Sequence, residues 1–540
     1  MTTRALPAIR DTKTNHKWQT RAAVEWIATQ MDTYGVIGMA VQAITGTGKT
    51  RAAILAMKIW FEDYKQLARV VVVVPTEALL KQWHGIITAH YIANVSKQGG
   101  GSRYDGFAPI VVVIQASLKR IENHKNLSGK KTLYILDEAH RAGAKGTLTR
   151  LKRIRKNQNM QGCLAISATL RRSDGNCIMD ITGYDGYNEE GDRQAHIRYG
   201  YADAVADNVL PPFRIHVYET TDSDLTWDEA DELKSLNKQI AIAYGECKNN
   251  HEINASNLFH HTMNGYSEVE RYRSLTRKRK RVLNNLTVRY DIAHDRMIEE
   301  VGKGVLFHET IEGVERIANA AVEAGLDKPY IYHSGETPDD WDNITVAEIK
   351  KYKEYARNRK KILAKWVDPR TEDGVLLTVK ALKEGLDVPE MDWLMMLSHP
   401  NNATPLIQAT GRALRGNKNA DGVWTNLHGV VIDEDNPKNI YIVVQAGTTD
   451  AHCIGNMQKE GNIPTERFVH YRRQGGLWTP ITPIKAATNG YDPNEFDIVS
   501  IVFDPNEFDT TTTPALEFNA TTGEMQPATS AQQIGGIQYV

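Results

Sequence analysis

Ala43-Ile44-Thr45-Gly46-Thr47-Gly48-Lys49-Thr50 stands between two segments of different period. Gly35 to Ile44 is a largely apolar run, which predicts a buried strand. Arg51 to Tyr64 carries Ile54, Leu55, Met57, Ile59 and Phe61 at helical spacing. Strand, glycine loop and helix in that order make a phosphate cradle. Glycines let backbone N–H groups curl around phosphate oxygens, and the helix start adds its positive dipole end. In such a loop Lys49 reaches the β- and γ-phosphates of a nucleotide and the Thr50 hydroxyl ligates Mg²⁺. Gly46, Thr47 and Gly48 supply the turn. The pattern G-x-x-x-x-G-K-[ST] opens here on Ala43. A glycine turn with no ligand is the alternative, and the strand before and helix after count against it.

Other apolar runs repeat the theme. Val70–Val74, Ile110–Ile114 and Leu133–Leu136 read as buried strands with helical stretches between them. Gly304–His308, Tyr330–Tyr332, Gly374–Val379, Trp393–Leu397 and Val430–Ile432 do so later. Continuous apolar strands alternating with helices predict α/β architecture with parallel sheets covered on both faces. Two such lobes are expected, over 1–207 and 208–475. A basic, mostly helical insert is expected within 220–300, and an acidic low-complexity tail over 476–540. Asp492–Asp497 recurs as Asp504–Asp509 in that tail.

The 540 residues allow roughly three to five domains or two large ones. With 65 Lys+Arg against 66 Asp+Glu the formal charge is −1, which excludes a globally basic coat protein but not a local basic groove. The four cysteines show no C-x-x-C spacing, so a disulfide framework or thiolate zinc site is not expected. Cys247, His251, His260 and His261 fit no familiar metal spacing. No apolar run approaches ~18 residues, and Met1–Lys17 lacks a signal-peptide core. A cytoplasmic setting is expected, nucleoid-associated or virus-encoded in a host cytoplasm.

Asp137-Glu138-Ala139-His140 follows the strand ending at Leu136. A carboxylate at a strand end can hold Mg²⁺, and its neighbour can polarise an attacking water. An exposed acidic turn is the alternative, weakened by the phosphate loop upstream. Ser167-Ala168-Thr169, Thr378 with Glu384–Pro389, and Gln408-Ala-Thr-Gly411-Arg412-Ala-Leu-Arg415 follow in order. This series resembles the superfamily 2 helicases and translocases with a DEAH tetrad. Pro75-Thr76 with Leu79, Leu80, Gln82 and Trp83, then Ser167–Gly175, Ala204–Pro212, Tyr332–Gly335 and Trp18-Gln19, narrow the resemblance. They are similar to the group of the XPB excision-repair helicase, phage UvsW-type helicases and the translocating subunit of type III restriction enzymes. Leu170 stands where that group usually has Pro.

The resemblance implies ATP and Mg²⁺ held between two RecA-like lobes. It assigns phosphate and metal binding to Lys49 and Thr50, Mg²⁺ to Asp137, and the general base to Glu138. Adenine reading falls to Gln19, for which an exposed helix-start glutamine is the alternative. Gly385 and Asp387 would face the nucleotide from the second lobe, with Gln408, Arg412 and Arg415 completing the catalytic set. His140, Ser167 and Thr169 would couple hydrolysis to movement, or else be satisfied core polars. Thr76, Gln115, Ser117 and Thr378 suit phosphate contacts that position a strand without reading its bases. Basic runs at Arg271–Arg281, Lys152–Lys156 and Lys350–Lys361 are solvated helix faces or parts of a nucleic-acid track. The partner expected is DNA, duplex, forked or branched, with an RNA helicase, a restriction-complex translocating subunit and an ATP-switched clamp as alternatives. Eight of the acidic residues and none of the basic ones follow Lys485, so residues 1–485 carry +7 and residues 486–540 carry −8. The tail either aids solubility, competes with DNA or docks a protein partner.

Overall fold

A computed structural model describes residues 8–9, 15–28, 35–92, 94–122, 124, 127, 129–157, 159–170, 177–188, 191–251, 266–333, 346–368, 370–371, 373–379, 391–398, 403–426, 428–446, 448–481, 516–519 and 524–527. Two sheets organise them. The first has seven strands in the spatial order Val95–Gln98, Ile110–Ile114, Ala68–Val74, Lys131–Asp137, Gly162–Ser167, Ile37–Ala43, Ile197–Tyr199, all pairing in parallel. The run Val70–Val74 explains why both faces are covered. Val70, Val72 and Val74 point into one apolar layer with Trp26, Trp60 and Trp83. Val71 and Val73 point into the other with Leu118, Leu151 and Ile154. Each valine so buried contributes about 1.5–3 kcal/mol of transfer free energy.

Lys49–Tyr64 forms the helix after the glycine loop, burying Ala52, Ala53, Ala56, Met57, Trp60 and Phe61. Small residues let it lie close to the sheet. Gly162 is squeezed between Trp26 and Trp60, where a Cβ would come to 2.9–3.0 Å from their rings.

The second sheet runs Tyr330–Tyr332, Gly374–Val379, Lys303–His308, Trp393–Met396, Lys438–Gln445, Phe213–Thr220, Phe468–Gln474, Leu477–Ile481. Only the last strand pairs antiparallel. The expected strand at Val430–Ile432 is not formed. Those residues lie in a connection whose Val430 and Val431 are exposed, with a single bridge from Val431 to Thr425. The central strand is Lys438–Gln445, a longer β-branched run buried at nearly every position.

Between the second sheet's strands Phe213–Thr220 and Lys303–His308 come helices Trp227–His251, Ser267–Asn284 and Thr287–Glu299. The first two pack through Ile240, Ala243, Cys247, Val269 and Tyr272. The tail strands Leu516–Asn519 and Glu524–Pro527 pair antiparallel. Among the described residues no helix is long and apolar enough to cross a membrane.

Candidate active site

The carboxyl ends of three neighbouring strands set the site. Gly162–Ser167 lies between Ile37–Ala43 and Lys131–Asp137, with Gln42 paired to Ser167 and Ile166 to Asp137. The glycine loop, Ser167 and Asp137 therefore line one edge, where parallel α/β sheets bind ligands.

Gly46 and Gly48 both adopt left-handed backbone, at φ 91° and 82°. Side chains would strain this turn. A Cβ on Gly48 would also meet Gln19 Nε2 at 2.5 Å. Gln19 is buried, and its Nε2 donates to the Thr47 carbonyl (3.0 Å) and the Gly48 carbonyl (3.3 Å). Its Oε1 accepts the His16 N–H at 3.0 Å. Gln19 is thus fixed against the loop by both ends of its amide and is not an exposed helix-start residue. Thr47 Oγ1 donates to the Ile44 carbonyl at 2.8 Å, bracing the turn from inside. Lys49 and Thr50 are half-buried in the first helical turn.

Asp137 and Glu138 differ in environment. Asp137 is buried, and Trp83 Nε1 donates to its Oδ2 at 2.7 Å. Burial, then the charge of Glu138, push the Asp137 carboxyl up to about 6, opposed by the Trp83 hydrogen bond and Lys49. Glu138 sits at φ 47°, ψ 52°, a left-handed conformation rare outside glycine that turns the chain from strand into helix Ala139–Ala142. Its Oε2 is buried without a hydrogen-bond partner, 3.5 Å from His140 Nδ1. His140 Nδ1 lies 2.9 Å from Ser167 Oγ. An orphaned buried carboxylate oxygen beside a lysine, a strand-end carboxylate and a helix-start hydroxyl fits a site for Mg²⁺, polyphosphate and water.

Burial lowers the Lys49 ammonium from its ordinary range. Glu138 and Asp137 raise it, and Arg412 and Arg415 push it down further. Both arginines thus act on the phosphate-loop lysine from the second lobe. Direct contact explains the approach. A Cβ on Gly411 would strike the Thr45 Cβ at 2.6 Å, so this helix lies against the phosphate loop only because position 411 has no side chain. That helix, Ala403–Ala413, touches the first lobe twice more. Thr169 Oγ1 lies 3.1 Å from Thr404 Oγ1, and the Tyr201 hydroxyl donates to the Ile407 carbonyl at 2.7 Å. Its far end is held by the buried Lys438 ammonium, which donates to the carbonyls of Met391 (2.8 Å), Ala413 (3.1 Å) and Arg415 (2.5 Å). Gln408 lies half-buried on the same helix.

The expected strand-end contacts divide. Thr76, Gln115 and Ser117 follow the neighbouring strands Ala68–Val74 and Ile110–Ile114 and so share an edge. Thr76 Oγ1 also accepts the Leu79 N–H at 3.3 Å, capping helix Glu77–His90. Gln115 Nε2 and Thr378 Oγ1 are buried without hydrogen-bond partners. Gly385 and Asp387 lie outside the described residues, as do Arg171–Gly175, Ser334, Gly335, His260 and His261.

Much of the basic run Arg271–Arg281 is neutralised. Arg271 pairs with Glu246, Lys278 with Glu232, Lys280 with Glu309 and Arg281 with Glu312. Lys152 and Arg153 likewise face Asp180 and Glu122. Sequence reasoning gave no role to Trp83, Tyr201, Thr404 or Lys438. Only Trp83 carried a signal, as the last residue of the Pro75–Trp83 motif.

Comparison with known proteins bears on the family and the fold. Residues 12–172 match the model of the type III restriction enzyme res subunit, and residues 291–417 match the helicase conserved C-terminal domain. An uncharacterised protein of Mycobacterium tuberculosis is 30% identical over 204 residues, covering 36% of this chain and 32% of that protein. One from Mycobacterium leprae is 30% identical over 222 residues, covering 39% and 35%. The chain thus spans about a third of the length of these relatives. Among solved structures, the ATP-dependent type ISP restriction-modification enzyme LlaBIII bound to DNA superposes with a TM-score of 0.51 at 13% identity. That likeness, of fold, covers 86% of this chain and 31% of that one. With a res-subunit match over the first lobe, a helicase C-terminal match over the second, and the motif residues of both meeting at Lys49, the chain belongs to the superfamily 2 helicases, related to the type III restriction subunit.

Proposed function

We propose that this chain is an ATP-driven DNA translocase or helicase that hydrolyses ATP between its two lobes to move on or remodel duplex or branched DNA. The observation that carries the reading is the meeting of Lys49, Asp137 and Glu138 with Arg412 and Arg415 across the Gly46–Gly411 contact. Bound Mg²⁺·ATP supplies the transferable phosphoryl group and neutralises its charge. Lys49 and the loop N–H groups hold the phosphates, and Thr50 and Asp137 hold the metal. Glu138 Oε2, which has no hydrogen-bond partner, orients and deprotonates the attacking water. Arg412 and Arg415 add positive charge where negative charge develops, so hydrolysis requires the lobes to be closed. Gln19 is the candidate for reading the base, which would require its amide to exchange its loop bonds for the base edge.

DNA is favoured over RNA by the Pro75–Trp83 motif and by the DNA-bound restriction enzyme that shares the fold over most of this chain. The res-subunit match supports a second reading, the translocating subunit of a restriction or defence complex. Thr76, Gln115 and Ser117 on one sheet edge form the candidate track, positioned to hold backbone phosphates. The acidic tail is the segment through which a protein partner would dock. ATPase rates over forks, Holliday junctions, R-loops, single strands and RNA duplexes test the reading. Stimulation by DNA is expected. Stimulation by RNA only would reassign the substrate, and no stimulation by any nucleic acid would remove the motor.

A further inference from the structure

We infer that Trp83 is a positioning residue for the metal-binding carboxylate, holding Asp137 from the middle of a helix whose start is capped by the candidate track residue Thr76. This rests on the nucleotide-site reading above.

Asp137 ends a buried strand, and Trp83 comes from helix Glu77–His90, 54 residues earlier in sequence. The indole ring is buried against the sheet, so its N–H direction is fixed by packing. That N–H donates to Oδ2 at 2.7 Å, a short charge-assisted bond that restrains the rotation of the carboxylate. Groups that orient a metal-ligating carboxylate in this way typically contribute 10–100-fold to metal affinity. The same helix begins at Glu77, and its first turn is closed by Thr76 Oγ1 accepting the Leu79 N–H. Two turns of rigid helix therefore join the edge where a nucleic acid would lie to the oxygen that positions the metal. A change in how the helix start is held is transmitted to Asp137 through one hydrogen bond.

Trp83→Phe keeps the ring and deletes the donor. Binding of a fluorescent, non-hydrolysable ATP analogue is measured in the full chain, first with chelator and then across a Mn²⁺ or Mg²⁺ titration. Metal-free nucleotide affinity is expected to be unchanged, and the metal concentration at half-saturation to rise about tenfold or more. Trp83→His, which retains a ring N–H, is expected to recover part of the loss. Unchanged metal dependence in Trp83→Phe would overturn the inference while leaving the nucleotide site standing. Failure of the wild-type chain to bind the analogue with metal would overturn both. The wild-type chain labelled with ¹⁵N at its tryptophan indoles gives a test that needs no folded Phe variant. One indole N–H resonance is expected to move when Mg²⁺ is added at fixed analogue, and that response is expected to vanish in Asp137→Asn. No indole response to the metal also overturns the inference.

Discussion

Asp137→Asn should stabilise the metal-free protein, and by an amount that grows with pH. Burial and the neighbouring Glu138 push the Asp137 carboxyl up to about 6. An unfolded aspartate titrates near 3.9. Between those values the folded state keeps a proton that the unfolded state has lost. The folded state binds more protons there, so stability falls as pH rises through the window and stays low above it. Asparagine has no charge to desolvate, and its side-chain oxygen can still accept the Trp83 N–H. The difference between variant and wild type is therefore about 1 kcal/mol near pH 4.5 and about 3 kcal/mol above pH 7. For a lobe of this size that corresponds to roughly 6–12 °C in Tm at the upper end. Thermal melts in chelator from pH 4.5 to 8 measure it directly. Adding Mg²⁺ and ATP should reverse the order, because only the carboxylate can repay its desolvation by binding metal. A pH-independent difference, or an Asn variant less stable at pH 8, would refute the account of the buried carboxyl.

Glu138→Gln should bind ATP with near-normal affinity and stop turnover, while Lys49→Ala abolishes hydrolysis. Normal turnover in the Gln variant would remove Glu138 as the base. Arg415→Ala and Arg412→Ala should each lower kcat by about 10³-fold or more with ATP affinity little changed, as measured by single-turnover hydrolysis. Equal losses in binding and turnover would instead indicate a damaged fold. Thr169→Val, Thr404→Val and the double variant form a cycle across the lobe contact, with an expected coupling of about 1 kcal/mol in the nucleic-acid-stimulated rate. A coupling of zero would mean the hydroxyl pair is incidental.

The parts of the site that the sequence made legible are those encoded within a few residues. Gly46–Thr50 and Asp137–His140 each carry their own strand end and turn, so their chemistry follows from local order. Contacts that join distant segments left no local trace. Trp83 meets Asp137 across 54 residues and Thr169 meets Thr404 across 235. Lys438 had no role in the sequence reading, yet its ammonium caps the helix carrying Arg412. The basic run at Arg271–Arg281 was open to a reading as track, because its neutralising partners Glu232, Glu246, Glu309 and Glu312 come from flanking segments. Val430–Ile432 looked like a strand because three apolar residues in a row suffice for the pattern. What decides is the longer competitor at Lys438–Gln445, which pairs with strands on both sides.

The attachments of helix Ala403–Ala413 bear on how the proposed hydrolysis would be coupled to movement. Near its start, Thr404 and the Ile407 carbonyl are bonded to Thr169 and Tyr201 of the first lobe. At its end, the Ala413 and Arg415 carbonyls are bonded to Lys438 of the second sheet, which also holds the Met391 carbonyl. The two sets differ in strength. The interlobe bonds are neutral hydroxyl contacts, each worth about 1 kcal/mol net, whereas a buried ammonium shared by three carbonyls makes stronger, charge-assisted bonds. In the proposed cycle, lobe opening would break the weaker set first and the helix would leave with the second lobe. Arg412 and Arg415 are then withdrawn from Lys49 together, and the Gly411–Thr45 contact opens with them. The phosphate loop thus loses its added positive charge in one step when the lobes part, and regains it in one step when they close.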